Sequence, residues 1–292
     1  MPNDAIKFLA FEDSRYPRLL KEIPRPPKGI YVRGTMPDFR NTALAIVGTR
    51  KAGVAGKELA YRMGEELSSM GLIIVSGLAF GIDAAAHEGA LHGQGKTIAV
   101  LAHGLHTINP ASNARLGERI LESGGTLISE YPTGTPAKKG FFAARNRIVS
   151  GLAKAVLIIE APRKSGALLT ARFALEQGRE VLVSPGGALN PNYAGSHELI
   201  RSGATLACSR EHVIEALGFN QLFSPLAFSE KNTEDYGFVL DVLTNAEKPL
   251  TIDKISELTN LNVESTIKIV TLLILNGKAD ETPYGILIKH GT

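Results

Sequence analysis

An α/β fold is what this 292-residue sequence predicts: a doubly wound, mostly parallel sheet with a small C-terminal domain of the winged-helix type. Three observations predict it. Short apolar, β-branched runs recur at crossover spacing from residue 43 to about 218, as strands buried on both faces of a parallel sheet require. Helical stretches fall between these runs, which points to a layered α/β domain. After residue 232 the period changes, and three short amphipathic segments are followed by a hairpin-like run.

Taken in order, residues 1–40 are too short for an independent domain. Their Pro-rich stretch IPRPPKGIYVRG reads as an extended lead-in packed on the core. The strands are ALAIVG, LIIVSG, TIAVLA, TLISEY, AVLIIEA, EVLVSP and ATLAC. The helices between them are predicted over Val54–Met70, Ile82–His92, Asn113–Ser123, Ser165–Gln177 and Ser196–Arg201. Together they make a Rossmann-like domain over 41–220. Residues 221–232 lose periodicity and read as a linker, and 233–292 form the winged-helix-like domain from DYGFVLDVL, TIDKISELT, VESTIKIVTLLILNG and ADETPYGILIKHG.

The composition is that of a globular cytoplasmic protein, with 44% hydrophobic and 21% charged residues. A single Cys excludes an internal disulfide and a CxxC zinc site. The opening run MPNDAIKFLAFEDSRYPRLLKEI has no basic stretch leading into an apolar one, and nowhere do about 18 apolar residues follow one another. Neither a signal peptide nor a membrane span is expected. The net charge of +3 conceals an asymmetry: residues 233–292 carry −4 and residues 1–232 carry +7. A polyanion prefers the first part.

In doubly wound sheets ligands sit beyond the carboxyl ends of the strands. Here those loops are rich in small residues: Gly48-Thr49-Arg50, Ser76-Gly77-Leu78-Ala79, Ser165-Gly166 and Pro185-Gly186-Gly187. Free N–H groups at helix starts on one sheet edge make an anion site. The first loop is neither GxGxxG nor GxxxxGK[ST], because Gly53 is followed by Val54, so dinucleotide and P-loop chemistry are poorly supported. Arg50, with Lys51 beside it, places a guanidinium where a phosphate would rest. The stretch from Pro136 to Gly151 reads as a loop running into a helix, and it interleaves Lys138, Lys139, Arg145 and Arg147 with Phe141, Phe142 and Asn146. Cations around an aromatic platform suit single-stranded nucleic acid, whose bases stack while its phosphates seek charge. One of the two Phe residues is expected to anchor the loop in the core.

No catalytic constellation emerges, and no cofactor or metal is expected. Asp83 and His87 stand at i,i+4 without a third ligand, and read as a capping Asp near a His held by the fold. His103 and His106 read as bonded to backbone or solvent, Glu160 as an ion-pair partner near Arg163, and Cys208 as a buried, inert thiol.

Several stretches, in this order, resemble the DNA-processing protein A family: Tyr16-Pro17 with Ile23 and Pro26-Pro27; AIVGTRKA; VSGLAFGIDAAAHEGAL; GKTIAVLAHGL with Asn109-Pro110; Gly140 to Phe142 with RNRIVSGLA; IIEAPRKSGALLTARFALEQGREVLVSPG; and Gly195-Ser196 with LIRSGA. The resemblance covers residues 8–218. Departures are Phe80, where a basic residue is frequent, Ala102 for Gly, His106 for Asp, and Phe141 to Ala144 in place of HFP and a further residue. The resemblance implies a recombination mediator that coats incoming single-stranded DNA during natural transformation, protects it and helps load RecA recombinase. It also implies a homodimer. The DNA-binding residues it implies are Gly48, Thr49, Arg50, Lys138, Phe142, Arg145, Asn146 and Arg147, with Ser165, Gly166 and Thr170 as hydrogen-bond donors at a helix start.

Two other readings compete. A nucleoside-monophosphate phosphoribohydrolase-like enzyme would use the Pro185-Gly186-Gly187 turn, but no carboxylate–arginine set accompanies it. A duplex-reading transcription regulator would need a basic recognition helix, whereas the span from Val263 to Asn276 carries only Lys268.

Overall fold

In the computed structural model of the chain, residues 5–37, 42–218, 230–246, 248–275, 279–282 and 285–288 are described. The chain divides into two units, Met1–Gly218 and Phe219–Thr292.

The first unit is built on nine strands: β1 (Lys7–Ala10), β2 (Gly29–Gly34), β3 (Ala43–Gly48), β4 (Ile73–Ser76), β5 (Thr97–Leu101), β6 (Thr126–Ser129), β7 (Ala155–Ile159), β8 (Glu180–Val183) and β9 (Thr205–Leu206). Their order across the sheet is β1-β2-β6-β5-β4-β3-β7-β8-β9. From β6 to β9 all neighbours run parallel, and β1 and β2 are antiparallel additions at the β6 edge. This is the mostly parallel α/β sheet that the sequence predicts. From β3 the chain steps outward through β4, β5 and β6, then returns to the other side of β3 with β7, so the order reverses between β3 and β7.

Eight helices cover the sheet: α1 (Arg18–Lys21), α2 (Val54–Ser69), α3 (Ile82–His92), α4 (Ala114–Glu122), α5 (Lys139–Gly151), α6 (Gly166–Glu176), α7 (Ala194–Arg201) and α8 (Arg210–Ala216). Side chains of a strand alternate between faces. Ile98 and Val100 of β5 accordingly join a core with Ile148 of α5 and Ala171 of α6. Ala99 and Leu101 join a second core with Leu116 and Ile120 of α4.

Three expectations need correction. The segment 1–40 is more than a lead-in, because it contributes two strands to the sheet. The turn between them is fastened where the Tyr16 hydroxyl donates to the Pro27 carbonyl at 2.9 Å. Cys208 is exposed rather than buried. The edge strand β9 ends after two exposed residues, leaving Ala207 as the buried one. His87 is held by the fold, but with one nitrogen bare. Its Nδ1 lies 2.7 Å from the Thr97 hydroxyl, and that hydroxyl already donates to the Ile74 carbonyl at 2.8 Å. Nδ1 must therefore carry the proton, which leaves Nε2 buried without a partner. Burial first, and the Arg145 charge second, pull the His87 pKa down to about 3.

The second unit holds α9 (Glu230–Thr244), α10 (Ile252–Thr259), α11 (Val263–Leu275) and the antiparallel pair β10 (Ala279–Thr282) and β11 (Gly285–Ile288). It has its own core, including Val239, Leu243, Ile255, Ile269, Leu273 and Ile286. The Thr251 side chain caps α10 by accepting from the Lys254 N–H at 3.3 Å. Of the expected linker, residues 221–229 lie outside the described residues, and 230–232 belong to α9.

Candidate functional site

Where strand order reverses, the loops leaving the two central strands diverge and open a crevice. Here it lies between the β3–α2 and β7–α6 loops and measures about 500 Å³. Eight of the residues singled out from sequence line it: Gly48, Thr49, Arg50, Arg145, Asn146, Ser165, Gly166 and Thr170. Gly48 answers a packing demand, since a Cβ there would run into the Ile159 carbonyl and the Ile82 side chain. Arg50 is exposed at the rim. Lys139 and Lys164 complete the cationic lining; the sequence showed Lys139 as one cation of the Pro136–Gly151 stretch without placing it in the site, and Lys164 was missed. The available signal was their position, each one residue from a helix start or its cap. Arg50, Lys139 and Lys164 make no ion pair among the described residues, so their charge is available to a ligand.

Arg145 has a different task from the surface contact expected of it. It is 4% exposed, and its Nη1 donates to the Gly77 carbonyl at 2.7 Å and to the Val100 carbonyl. Gly77 makes room for it, because a Cβ there would sit 2.5 Å from Nη2. Asp83 is buried nearby and accepts from the N–H groups of Gly77 at 3.1 Å and Ala79 at 3.4 Å. Burial lowers the Arg145 pKa to about 10, with Asp83 opposing it. Burial pushes the Asp83 carboxyl up, opposed first by Arg145. These two buried charges form the floor of the crevice and fix the β4–α3 loop against β5.

An α-helix turns about 100° per residue, so three adjacent side chains cannot share a face. On α5, Arg145 points inward and Asn146 reaches the crevice, donating to the Gly166 carbonyl at 3.2 Å. Arg147 turns away from the crevice and pairs with Glu130 at 2.6 Å. Lys138 occupies the N-cap position of the helix, without a side-chain capping bond, rather than lying in a free loop, which places both Phe residues in the first turn. Phe141 anchors that turn, stacked on Tyr131 with ring centroids 4.1 Å apart, and the Lys138 ammonium lies 5.7 Å from its centroid. Phe142 is half-buried beneath the Arg50 guanidinium, 5.2 Å from its centroid. Arg50 and Phe142 thus form a cation–π pair at the crevice edge.

At α6 the Ser165 hydroxyl accepts from the Ala167 N–H at 3.2 Å as the N-cap. The Thr170 hydroxyl donates to the Gly166 carbonyl at 3.4 Å, so it supports the turn rather than facing outward as a donor. Beyond the chain neighbours and backbone of its own helix start, nothing lies within 4 Å of where a Gly166 Cβ would be, and the residue is exposed. Glu160 does not pair with Arg163, whose partner is Glu198 at 2.9 Å. Its carboxylate is buried instead and accepts from the Gly53 N–H at 2.9 Å. His103 Nδ1 lies 2.9 Å from the Gly104 carbonyl, and His106 accepts from the Gly134 N–H at 3.0 Å, both as expected of backbone-bound rings.

The family described as DNA recombination-mediator protein A matches residues 7–218. Protein Smf of Escherichia coli (strain K12) is 44% identical over 210 residues, 72% of this chain and 56% of that protein. DNA processing protein DprA of Bacillus subtilis is 38% identical over 213 residues, 73% of this chain and 71% of that protein. This chain spans little more than half the length of the E. coli relative, and 54% of Protein Smf from Synechocystis. The X-ray structure of DNA processing protein A from Streptococcus pneumoniae superposes with a TM-score of 0.68 at 37% identity, over 73% of this chain and 75% of that one. A structure of DNA processing protein A from Helicobacter pylori, reported for its single-stranded DNA binding mode, gives 0.65 at 29% identity, over 75% and 99%.

Proposed function

We propose, for a chain that belongs to the DNA recombination-mediator protein A family, that the crevice between β3 and β7 grips the backbone of single-stranded DNA. The observation that carries this reading is the set of cations Arg50, Lys139 and Lys164, none in an ion pair among the described residues, around an open helix start, with an aromatic ring under one of them. Phosphates settle on the cations and the α6 start, and a base stacks on Phe142. Lys138 extends the cationic path. The name of the Helicobacter pylori structure, which refers to single-stranded DNA, supports the same ligand.

On this reading the protein is a recombination mediator without turnover chemistry. It protects single strands and hands them to RecA recombinase as a homodimer in the cytoplasm. Among the described residues no helix is long and apolar enough to cross a membrane. The second unit serves as a winged-helix module for partners, since residues 233–292 carry −4 and a duplex reader needs a basic face.

Labelled single-stranded and blunt duplex oligonucleotides titrated at two salt concentrations test the reading. Tighter single-strand binding with little sequence dependence is the expected result. Equal or tighter duplex binding at physiological salt overturns it, and release of free base from a nucleoside monophosphate would favour the nucleotide-enzyme alternative.

Arg50 and Phe142 should separate in that assay. Arg50→Ala should weaken binding to all sequences alike and flatten the log K against log salt slope by about 0.7 for each phosphate it no longer neutralises. Phe142→Ala should cost on the order of 1–3 kcal/mol of binding and leave the slope nearly unchanged. A buried core role for Phe142 would instead lower the melting temperature with affinity intact, so both quantities are measured on one preparation.

A further inference from the structure

The N-terminal end of α2 follows the central strand β3 and is where a doubly wound sheet ordinarily seats the pyrophosphate of a dinucleotide. In this protein a side chain already stands there. The Glu160 carboxylate is 1% exposed and accepts from the Gly53 N–H with both oxygens, at 2.9 and 3.0 Å. It also accepts from Asn192 Nδ2 at 2.5 Å. A Cβ on Gly56, in the first turn of α2, would collide with it. Asn192 also donates to the Lys51 carbonyl at 3.3 Å, tying the carboxylate's holder to the same loop. Glu160 itself has φ of 54°, in the left-handed region that non-glycine residues seldom adopt. A polar carboxylate held in a strained backbone conformation, with a glycine cleared for it, is a built feature rather than a chance contact.

We infer that Glu160 is a specificity-determining residue, an internal anion that fills the pyrophosphate seat at α2 and so refuses dinucleotides and free pyrophosphate there. Ligand phosphates are left with the neighbouring positions at Arg50, Lys164 and the start of α6. The inference concerns which anions are turned away, and it stands whether or not the crevice holds DNA.

Glu160→Gly tests it, because glycine accepts the positive φ without strain and frees the Gly53 N–H and the Asn192 amide. In the full chain, inorganic pyrophosphate against sodium chloride of matched ionic strength should raise the variant's melting temperature more than that of the wild type. The excess should be about 3–6 °C at about ten times the dissociation constant. A folded variant that responds no more than the wild type overturns the inference.

Amide resonances of the isotope-labelled wild type give a second measurement that needs no variant. On adding pyrophosphate the Gly53 signal should stay in place, and a saturable shift of Gly53 overturns the inference. Failure of the Gly166 and Ala167 signals to move would instead count against the crevice reading while leaving the role of Glu160 intact.

Discussion

Arg145→Met should lower the melting temperature of the first unit by roughly 6–24 °C. Removing a buried charged donor costs about 1.5–3 kcal/mol for each hydrogen bond it makes, here to two backbone carbonyls, and each kcal/mol moves the midpoint of a domain this size by about 2–4 °C. The loss arises because the Gly77 and Val100 carbonyls lose their donor, and because Asp83 stays buried without the Arg145 charge nearby. Arg145→Lys should recover only part of the stability, since an ammonium lacks the planar fork that fits beneath Gly77. Arg145→Met combined with Asp83→Leu should recover more than either change alone, because no lone charge remains. The salt slope for single-stranded DNA, measured well below the melting temperature, should stay at the wild-type value. A midpoint within about 2 °C of wild type, or a flattened salt slope, would return Arg145 to the ligand surface.

Acid should weaken the fold well before the bulk of the carboxylates titrate. The folded-state pKa of His87 lies at about 3, below its ordinary 6.5. A depressed folded pKa gives stability that is fully present above the unfolded value and is lost as pH falls toward the folded one. The window therefore runs from about pH 6.5 down to about pH 3, and the full span is worth on the order of 4–5 kcal/mol. His103, whose pKa is also lowered by burial, adds in the same direction. Urea unfolding of wild type and His87→Gln at pH values across that window provides the check. The variant should be less stable near neutrality, having a compromised bond to Thr97, and should lose less on acidification. Parallel curves for the two proteins would remove His87 from the account.

The sheet and the crevice were readable in the sequence for a common reason. Strands buried on both faces need unbroken apolar runs, and such runs are visible without knowing their neighbours. The glycine-rich ends of those runs then mark the loops. What could not be read is direction. Arg145, Asn146 and Arg147 are one cationic cluster in sequence, but the helix that carries them sends Arg145 to the core and Arg147 to Glu130. Nothing local says which arginine has a glycine opposite it 68 residues away. Glu160 was likewise assigned to the neighbour in sequence, Arg163, whereas its partners are Gly53 and Asn192. Strands β1 and β2 were missed because one is only four residues long and the other directly follows a Pro-rich turn, so neither shows enough period to stand out.

The pairing of β2 with β6 sets a constraint on the order in which the molecule can assemble. Tyr31 faces Ser129 and Gly34 faces Thr126, so the contact closes a loop of roughly a hundred residues. During synthesis at about 5–20 residues per second, the segment ending at Gly34 must wait several seconds for its partner strand to emerge. Until then the apolar side chains of Leu9, Leu20, Ile23 and Ile30 have no sheet to cover them. The β1–β2 pair is thus among the first parts made but cannot be seated until β6 is out, and the nascent chain passes through a stage in which a holdase could grip it.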